Sequence, residues 1–484
     1  MTTTTSSRRE MPLPRTAIVI AATAAMLGII YGYDNGVIGA AQLYFERPDQ
    51  LNLNTAQIER VTAAIIWGEI IGALVGGWLI NRIGRKKTML MLTMGYLVFC
   101  LASALSWNLR TLVAARFGLG LAIGLSLIAV PVYVAESVPA RIRGGSLVLY
   151  QVMGVCGIIL GFGFSLALSA ANPDWNWRLM LGLASIPALL LLPVIFRLPE
   201  TARWYFMKDR FDEALAALKR IDPDGDHAAE TAEMRAAQVA ESGGALREMI
   251  HRPYLRATIF VVVLGFLIQI TGINATISYG PKIFEAMGIT SNSQSILMAM
   301  LVQVFALVAV LCSMRYIDRW GRRPVLLTGI GVMIVSQLAL VLVFGTAKSD
   351  DEFAGWQVAV GFAGLAIFNM GFVFGFGSLV WVYSSEAFPS RLRAYGSSAM
   401  LTADLVGNYL IVAFFLTAMT GIGGAGSFLI FAVLSALAFV FVFKLAPETK
   451  GRDLDEIRDY WENGGKWPVA PSTVASTAGL KGNE

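Results

Sequence analysis

An aspartate within an apolar run is the residue of this sequence whose type and place could do chemistry. Asp34 stands in Tyr31-Gly32-Tyr33-Asp34-Asn35-Gly36, inside the first long hydrophobic stretch, Thr16 to about Leu43. An ionised carboxylate at membrane depth costs about 3 kcal/mol on insertion scales, so it persists where it faces a cavity or a partner. Its chemistry there is reversible proton binding. About eighteen mostly apolar residues precede it, at a rise of about 1.5 Å each. The position therefore admits two readings, a functional acid at mid-membrane or an aspartate near the outer interface reaching the headgroups.

The elements that must hold such an acid are set by composition. The chain has 484 residues, 56% of them hydrophobic and 15% charged, with a mean hydropathy of +0.62. That is too apolar for an ordinary soluble globule and indicates an integral membrane protein. The net charge of +5 does not indicate a nucleic-acid surface, because the Lys and Arg sit in short loops between apolar runs. Cys100, Cys156 and Cys312 lie inside apolar runs without metal-ligand spacing and read as small buried hydrophobes. The polar start, Met1 to Pro14, leads straight into a long span with no small-residue cleavage site, so no removable signal peptide is expected.

Runs of about 20 apolar residues number about twelve: 16–43, 58–80, 88–107, 110–135, 145–171, 177–197, 254–285, 294–316, 324–346, 355–387, 394–420 and 424–446. The charged stretch Pro199 to Pro253 divides them. It contains both histidines, His227 and His251, and carries helical patterning at Asp212-Glu213-Ala214-Leu215-Ala216-Ala217-Leu218-Lys219. Basic residues concentrate in the loops after spans two, four, six, eight and ten, which places both termini and the middle segment in the cytoplasm. The expected organisation is all-α: a tail at 1–15, a six-helix half at 16–197, a linker with short cytoplasmic helices at 198–253, a second six-helix half at 254–446 and a tail at 447–484.

The halves repeat each other. Asn81-Arg82-Ile83-Gly84-Arg85-Lys86 answers Asp318-Arg319-Trp320-Gly321-Arg322-Arg323, and Glu136-Ser137-Val138-Pro139-Ala140-Arg141-Ile142-Arg143 answers Glu386-Ala387-Phe388-Pro389-Ser390-Arg391-Leu392-Arg393. Leu198-Pro199-Glu200-Thr201 answers Ala446-Pro447-Glu448-Thr449. Three matches in one order, at an offset of about 240 to 250 residues, are the mark of two parallel six-helix repeats. Each glycine permits a tight turn and the arginines anchor the inner side. Glu136 and Glu386, with Arg82, Arg85, Arg143, Asp318, Arg319, Arg322 and Arg393, are expected to form a charge cluster that latches the cytoplasmic ends and opens as they separate. The run Gly118-Leu119-Gly120-Leu121-Ala122-Ile123-Gly124 lacks a preceding strand and sits mid-span, so it reads as a helix contact rather than a nucleotide loop.

Thr16 to about Ile457 resembles the major facilitator superfamily and, within it, the sugar porter family. The resemblance rests on the two loop motifs at Asn81 and Asp318, on Arg116 with Gly118 and Gly120, on Pro131-Val132-Tyr133-Val134-Ala135-Glu136, and on Pro199-Glu200-Thr201-Ala202-Arg203-Trp204 and Pro447-Glu448-Thr449-Lys450-Gly451-Arg452. Asn81 replaces the usual Asp, which the Asp318 copy keeps. The resemblance implies a carboxylate–arginine switch of Asp34 and Arg116, paired when the acid is ionised and released when it is protonated. It also implies that Gln151, Gln269, Asn274, Tyr279, Trp381 and Asn408 line a solute site, where amides meet hydroxyls and the indole covers an apolar ring face.

Departures from the family pattern are Ile268-Gln269, Ser278-Tyr279, Gly377-Ser378-Leu379-Val380-Trp381 and Asp404-Leu405. Asp404 could hydrogen-bond a polyol, attract an amine-bearing solute, carry a second proton, or bond Asn408 one turn on. The expectation is a proton-coupled importer of a sugar, polyol or similar small polar solute, working as a monomer in the plasma membrane. The alternatives are a carrier of an organic acid or amine, an uncoupled facilitator and a nutrient sensor. No cofactor motif, metal-ligand set, nucleic-acid partner or nucleophile–base pairing is indicated, so an enzyme is not expected.

Overall fold

The computed structural model describes residues 14–170, 175–221, 227, 231–232, 245–347, 353–452 and 454–467. Among these residues, twelve helices are long and apolar enough to cross a membrane. The first six spans are Arg15–Phe45, Thr55–Ile83, Arg85–Ala104, Leu109–Ser137, Ile142–Leu168 and Asn176–Arg197. The second six are Leu255–Ser278, Asn292–Ser313, Arg322–Gly345, Gly355–Ser384, Leu392–Gly421 and Gly423–Leu445. Large apolar side chains such as Leu74, Phe196 and Val335 are exposed on their outer faces, as helices solvated by lipid require. The protein is thus a multi-pass membrane protein.

Local chemistry sets the ends. Span 2 begins at a capping box in which Asn54 accepts from the Gln57 N–H and Gln57 answers the Asn54 N–H. Span 4 begins likewise at Asn108 and Thr111. Spans 2 and 3 meet at Gly84, with φ of 102°, and spans 8 and 9 at Gly321, with φ of 98°. Both values favour a residue without Cβ. The short helices Ala202–Met207, Phe211–Ile221 and Ala245–Met249 lie between the halves, and Leu454–Glu462 follows span 12.

Two runs expected to be continuous are interrupted. Span 7 stops at Ile270, passes Gly272 in the left-handed region, resumes as Ile273–Ser278 and turns again before Gly280–Ala286. In span 10 the α-helix ends at Phe372 and a π-helical turn, Val373–Gly377, precedes Ser378–Glu386. Such interruptions free backbone groups and bend a span toward a site.

Packing repeats between halves. Span 1 lies along span 5 and span 2 along span 4; correspondingly, span 7 lies along span 11 and span 8 along span 10. Between halves, span 2 meets span 11 and span 5 meets span 8, a pair of contacts related by the same two-fold repeat. The larger buried apolar cluster joins the first half to residues of the second, including Tyr279, Phe415 and Phe431, whereas a second cluster is built from the second half and the segments flanking it, from Met249 to Trp461. Hydrogen bonds reinforce the outer junction. Gln42 donates to the Ser278 carbonyl, Lys282 pairs with Glu46, and Glu59 accepts from both the Thr417 N–H at 2.8 Å and its hydroxyl at 2.5 Å.

Candidate functional site: a buried ion pair beside a polar midplane cavity

Asp34 lies inside the helix bundle. It is 6% exposed and faces the fully buried Arg116 of span 4. Arg116 Nη2 donates to Asp34 Oδ2 at 2.9 Å, and Nη1 donates to Oδ1. The carboxylate is therefore held at both oxygens by a planar fork, the geometry that suits arginine. Arg116 Nε is buried without a hydrogen-bond partner.

Beside this pair is a polar cavity of about 10 Å³, lined by Tyr31, Asn35, Thr62, Glu69, Arg116, Asn274, Ser278 and Asn408 among others. That is room for about one water molecule. Elements of both halves build it: spans 1, 2 and 4 on one side, spans 7 and 11 on the other. Asn274 lies just past the break in span 7, where its Nδ2 donates to Gln269 Oε1 at 2.9 Å, and Gln269 Nε2 donates to Asp404 Oδ1 at 2.9 Å. Asp404 thus takes its hydrogen bond from span 7, and Asn408 is not its partner. Asn408 Oδ1, on the cavity wall, is buried with no hydrogen-bond donor.

The other sequence-derived site residues lie elsewhere. Tyr279 is fully buried, and its hydroxyl donates to the Val412 carbonyl at 2.6 Å. Its ring stacks on Phe415. It seals the outer junction and presents no hydroxyl to the cavity. Gln151 and Trp381 are exposed and take no part in the Asn274–Gln269–Asp404 chain. Glu69, which sequence reasoning passed over, is 5% exposed on the cavity wall. The signal was available: it is a further carboxylate in an apolar span, subject to the same cost as Asp34.

The charge groups expected to latch the two ends together pair within each half. Arg85 Nε and Nη2 grip Glu136 at 2.9 and 2.8 Å, and the Thr201 hydroxyl donates to the same carboxylate at 2.6 Å. Glu200 accepts the N–H groups of Arg85, Lys86 and Thr201 at 2.9 to 3.1 Å. It thereby caps the start of span 3, where the helix dipole favours an anion. Burial pushes the Glu200 carboxyl up from its ordinary value, against the opposing pull of those N–H groups. The second half copies this: Glu448 accepts from Arg322 and Arg323 at 3.0 and 3.1 Å. Tyr133 and Tyr383 donate to the Pro199 and Pro447 carbonyls in equivalent bonds. Glu386 faces Thr449, Arg322 and Arg393, and burial raises its pKa. The repeated Pro-Glu-Thr was legible as a repeat; its capping role needed the fold.

Arg82 lies over the Trp78 ring at 5.0 Å, Arg143 and Arg319 are exposed, and the Asp318 side chain lies outside the described residues. Replacing Glu136 with Gln leaves the 4%-exposed Arg85 side chain without its anion. The expected loss is about 3 kcal/mol, read as a lower melting temperature of the purified carrier by intrinsic fluorescence.

Twelve spans in two repeats around a midplane ion pair define a carrier of the major facilitator fold. The profile of the "Sugar (and other) transporter" family matches residues 20–461, and the chain belongs to that family. It is 32% identical over 436 residues to the galactose-proton symporter of Escherichia coli, covering 90% of this chain and 92% of that protein. To the arabinose-proton symporter of Escherichia coli it is 32% identical over 450 residues, covering 92% and 93%. To "Probable polyol transporter 6" of Arabidopsis thaliana it is 30% identical over 484 residues, covering 95% and 97%. Among solved structures, the inward open xylose transporter XylE of E. coli superposes with a TM-score of 0.78 at 23% identity, covering 92% of this chain and 100% of that one.

Proposed function

We propose that this protein imports a sugar, polyol or similar small polar solute together with protons, by alternating access of its two halves around the midplane cavity. The observation that carries the reading is the fully buried Arg116 gripping Asp34 beside a cavity edged with amides from both halves. Protonation of such a carboxylate releases the arginine, and a conformational change that alters their contact alters proton affinity. The named relatives support the same chemistry, two of them being sugar-proton symporters and one a probable polyol transporter. Asn274, Asn408 and Gln269 are the solute-facing amides of this reading. Gln151 and Trp381 join them from the inner side when the halves close inward.

The bonds at Gln42, Glu59 and Lys282 form the outer gate. The charge clusters at Arg85–Glu136 and Arg322–Glu386–Arg393 form the inner one, with Arg82, Arg143 and Arg319 at its margin. Basic inner loops place both termini in the cytoplasm, and the carrier works as a monomer in the plasma membrane. A second reading rests on Asp404, whose carboxylate near the cavity suits a solute bearing an amine.

The test is uptake of a labelled sugar and polyol panel into proteoliposomes, with and without an inward proton gradient, for the wild type and Asp404→Asn. Gradient-dependent accumulation of a neutral polyol or sugar, retained in Asp404→Asn, supports the main reading. Uptake restricted to amine-bearing solutes and lost in Asp404→Asn overturns it in favour of the second.

A further inference from the structure

Glu69 is the buried charge for which the coupling scheme has no use. It sits on span 2 at 5% exposure and makes no hydrogen bond or ion pair among the described residues. It shares the cavity wall with Arg116. The groups that face it are Asp34, Arg116, Asp404, Tyr31, Tyr96 and Tyr150. Asp404 is bonded to Gln269 and the tyrosines carry no charge, so among the described residues Arg116 is the one cation that faces it. Its Nη atoms are occupied by Asp34, whereas its Nε is buried and unpartnered.

Charge bookkeeping in the membrane interior then fixes the protonation pattern. The Asp34–Arg116 pair is neutral, so an ionised Glu69 would leave the site with a net negative charge and no hydrogen bond to hold it in the present geometry, a costly state. In this conformation Glu69 holds its proton. Protonating Asp34 from another source, with Glu69 still neutral, would strand the guanidinium instead.

We propose that Glu69 is the alternate partner of Arg116: it passes its proton to Asp34 across the cavity and takes the arginine in exchange. In this step a proton leaves a Glu69 oxygen and binds an Asp34 oxygen. The Arg116 bonds to Asp34 break and Arg116 N–H bonds to the Glu69 carboxylate form. No net charge is created, and one proton is shared between two acids before and after. The cavity has room for about one water molecule to bridge them. This deepens the proposed function by giving Asp34 a proton donor inside the protein.

Two measurements test it. In the Glu69→Gln variant Asp34 must draw its proton directly from water and leave Arg116 unpaired, so gradient-driven uptake needs more acid. Its pH midpoint should move downward by about one unit, a tenfold change in proton activity. A midpoint equal to wild type overturns the proposal. The second measurement needs no transport. In Asp34→Asn the arginine can still pair with Glu69, whereas Asp34→Asn with Glu69→Gln leaves it with neither acid. The double variant should melt below the sum of the single effects by roughly 5 °C or more. Additive melting temperatures overturn the hand-over. If Asp34→Asn still accumulates solute, it is the coupling reading that fails, and the melting cycle still decides the role of Glu69.

Discussion

Asp34→Asn is expected to abolish uphill uptake while leaving solute exchange. The amide keeps the shape of the carboxyl group and mimics its protonated state, so the solute site and the rocking of the halves persist. What it loses is the ability to alternate between gripping and releasing Arg116. Two bonds between a fully buried guanidinium and a carboxylate become at best one bond from the guanidinium to a neutral amide oxygen, which does not titrate. With one proton per solute, each unit of imposed pH gradient supports about a tenfold accumulation, equivalent to about 1.4 kcal/mol. In the variant the ratio should fall to about one, because nothing then couples the solute to the gradient. Counterflow measures the exchange that remains. Intact proton-driven accumulation in this variant would end the assignment of Asp34 as the coupling acid.

The same residue shows how far the sequence carries. The cost of a charge in an apolar run flagged Asp34 without any structure, and the resemblance supplied Arg116 as its partner, an ion pair across 82 positions. The spans themselves were legible because about 20 apolar residues cross a bilayer whatever surrounds them. The three repeated motifs gave the division into halves. Breaks within spans were not legible: the run around Gly272 is long enough to read as one helix, and a chain with 48 glycines does not single that one out. Glu59 escaped notice because its meaning lies in Thr417, on the far half. Asp404 was visible as a departure with several roles open to it, a bond to Asn408 one turn on among them; its partner lies instead across the bundle on Gln269. Local periodicity names elements; contacts between distant spans name the site.

The approach of span 2 to span 4 sets the site's geometry and yields the largest stability effect. A Cβ on Gly120 would lie 1.9 Å from the Ile65 carbonyl oxygen, and one on Gly124 would lie 2.1 Å from the carbonyl oxygen of Glu69. The obstacles are backbone atoms, which no side-chain rotation clears. Here the small-residue pattern Gly120-x-x-x-Gly124 lets two helices touch backbone to backbone, so that dispersion and weak C–H contacts hold spans that lipid does not press together. Gly120→Ala must push the helices apart. It is expected to cost at least about 3 kcal/mol and to shift Arg116, one turn before it, away from Asp34. Gly77 provides the control, since nothing lies within 4 Å of its Cβ position. There the alanine should stabilise by up to about 1 kcal/mol through helix propensity. Melting temperatures of the two purified variants, read beside uptake, compare them directly: Gly120→Ala should melt lower and transport poorly, while Gly77→Ala should melt no lower than wild type. Equal behaviour of the two would show that spans 2 and 4 do not approach this closely, and the placement of Arg116 and Glu69 on one cavity wall would fall with it.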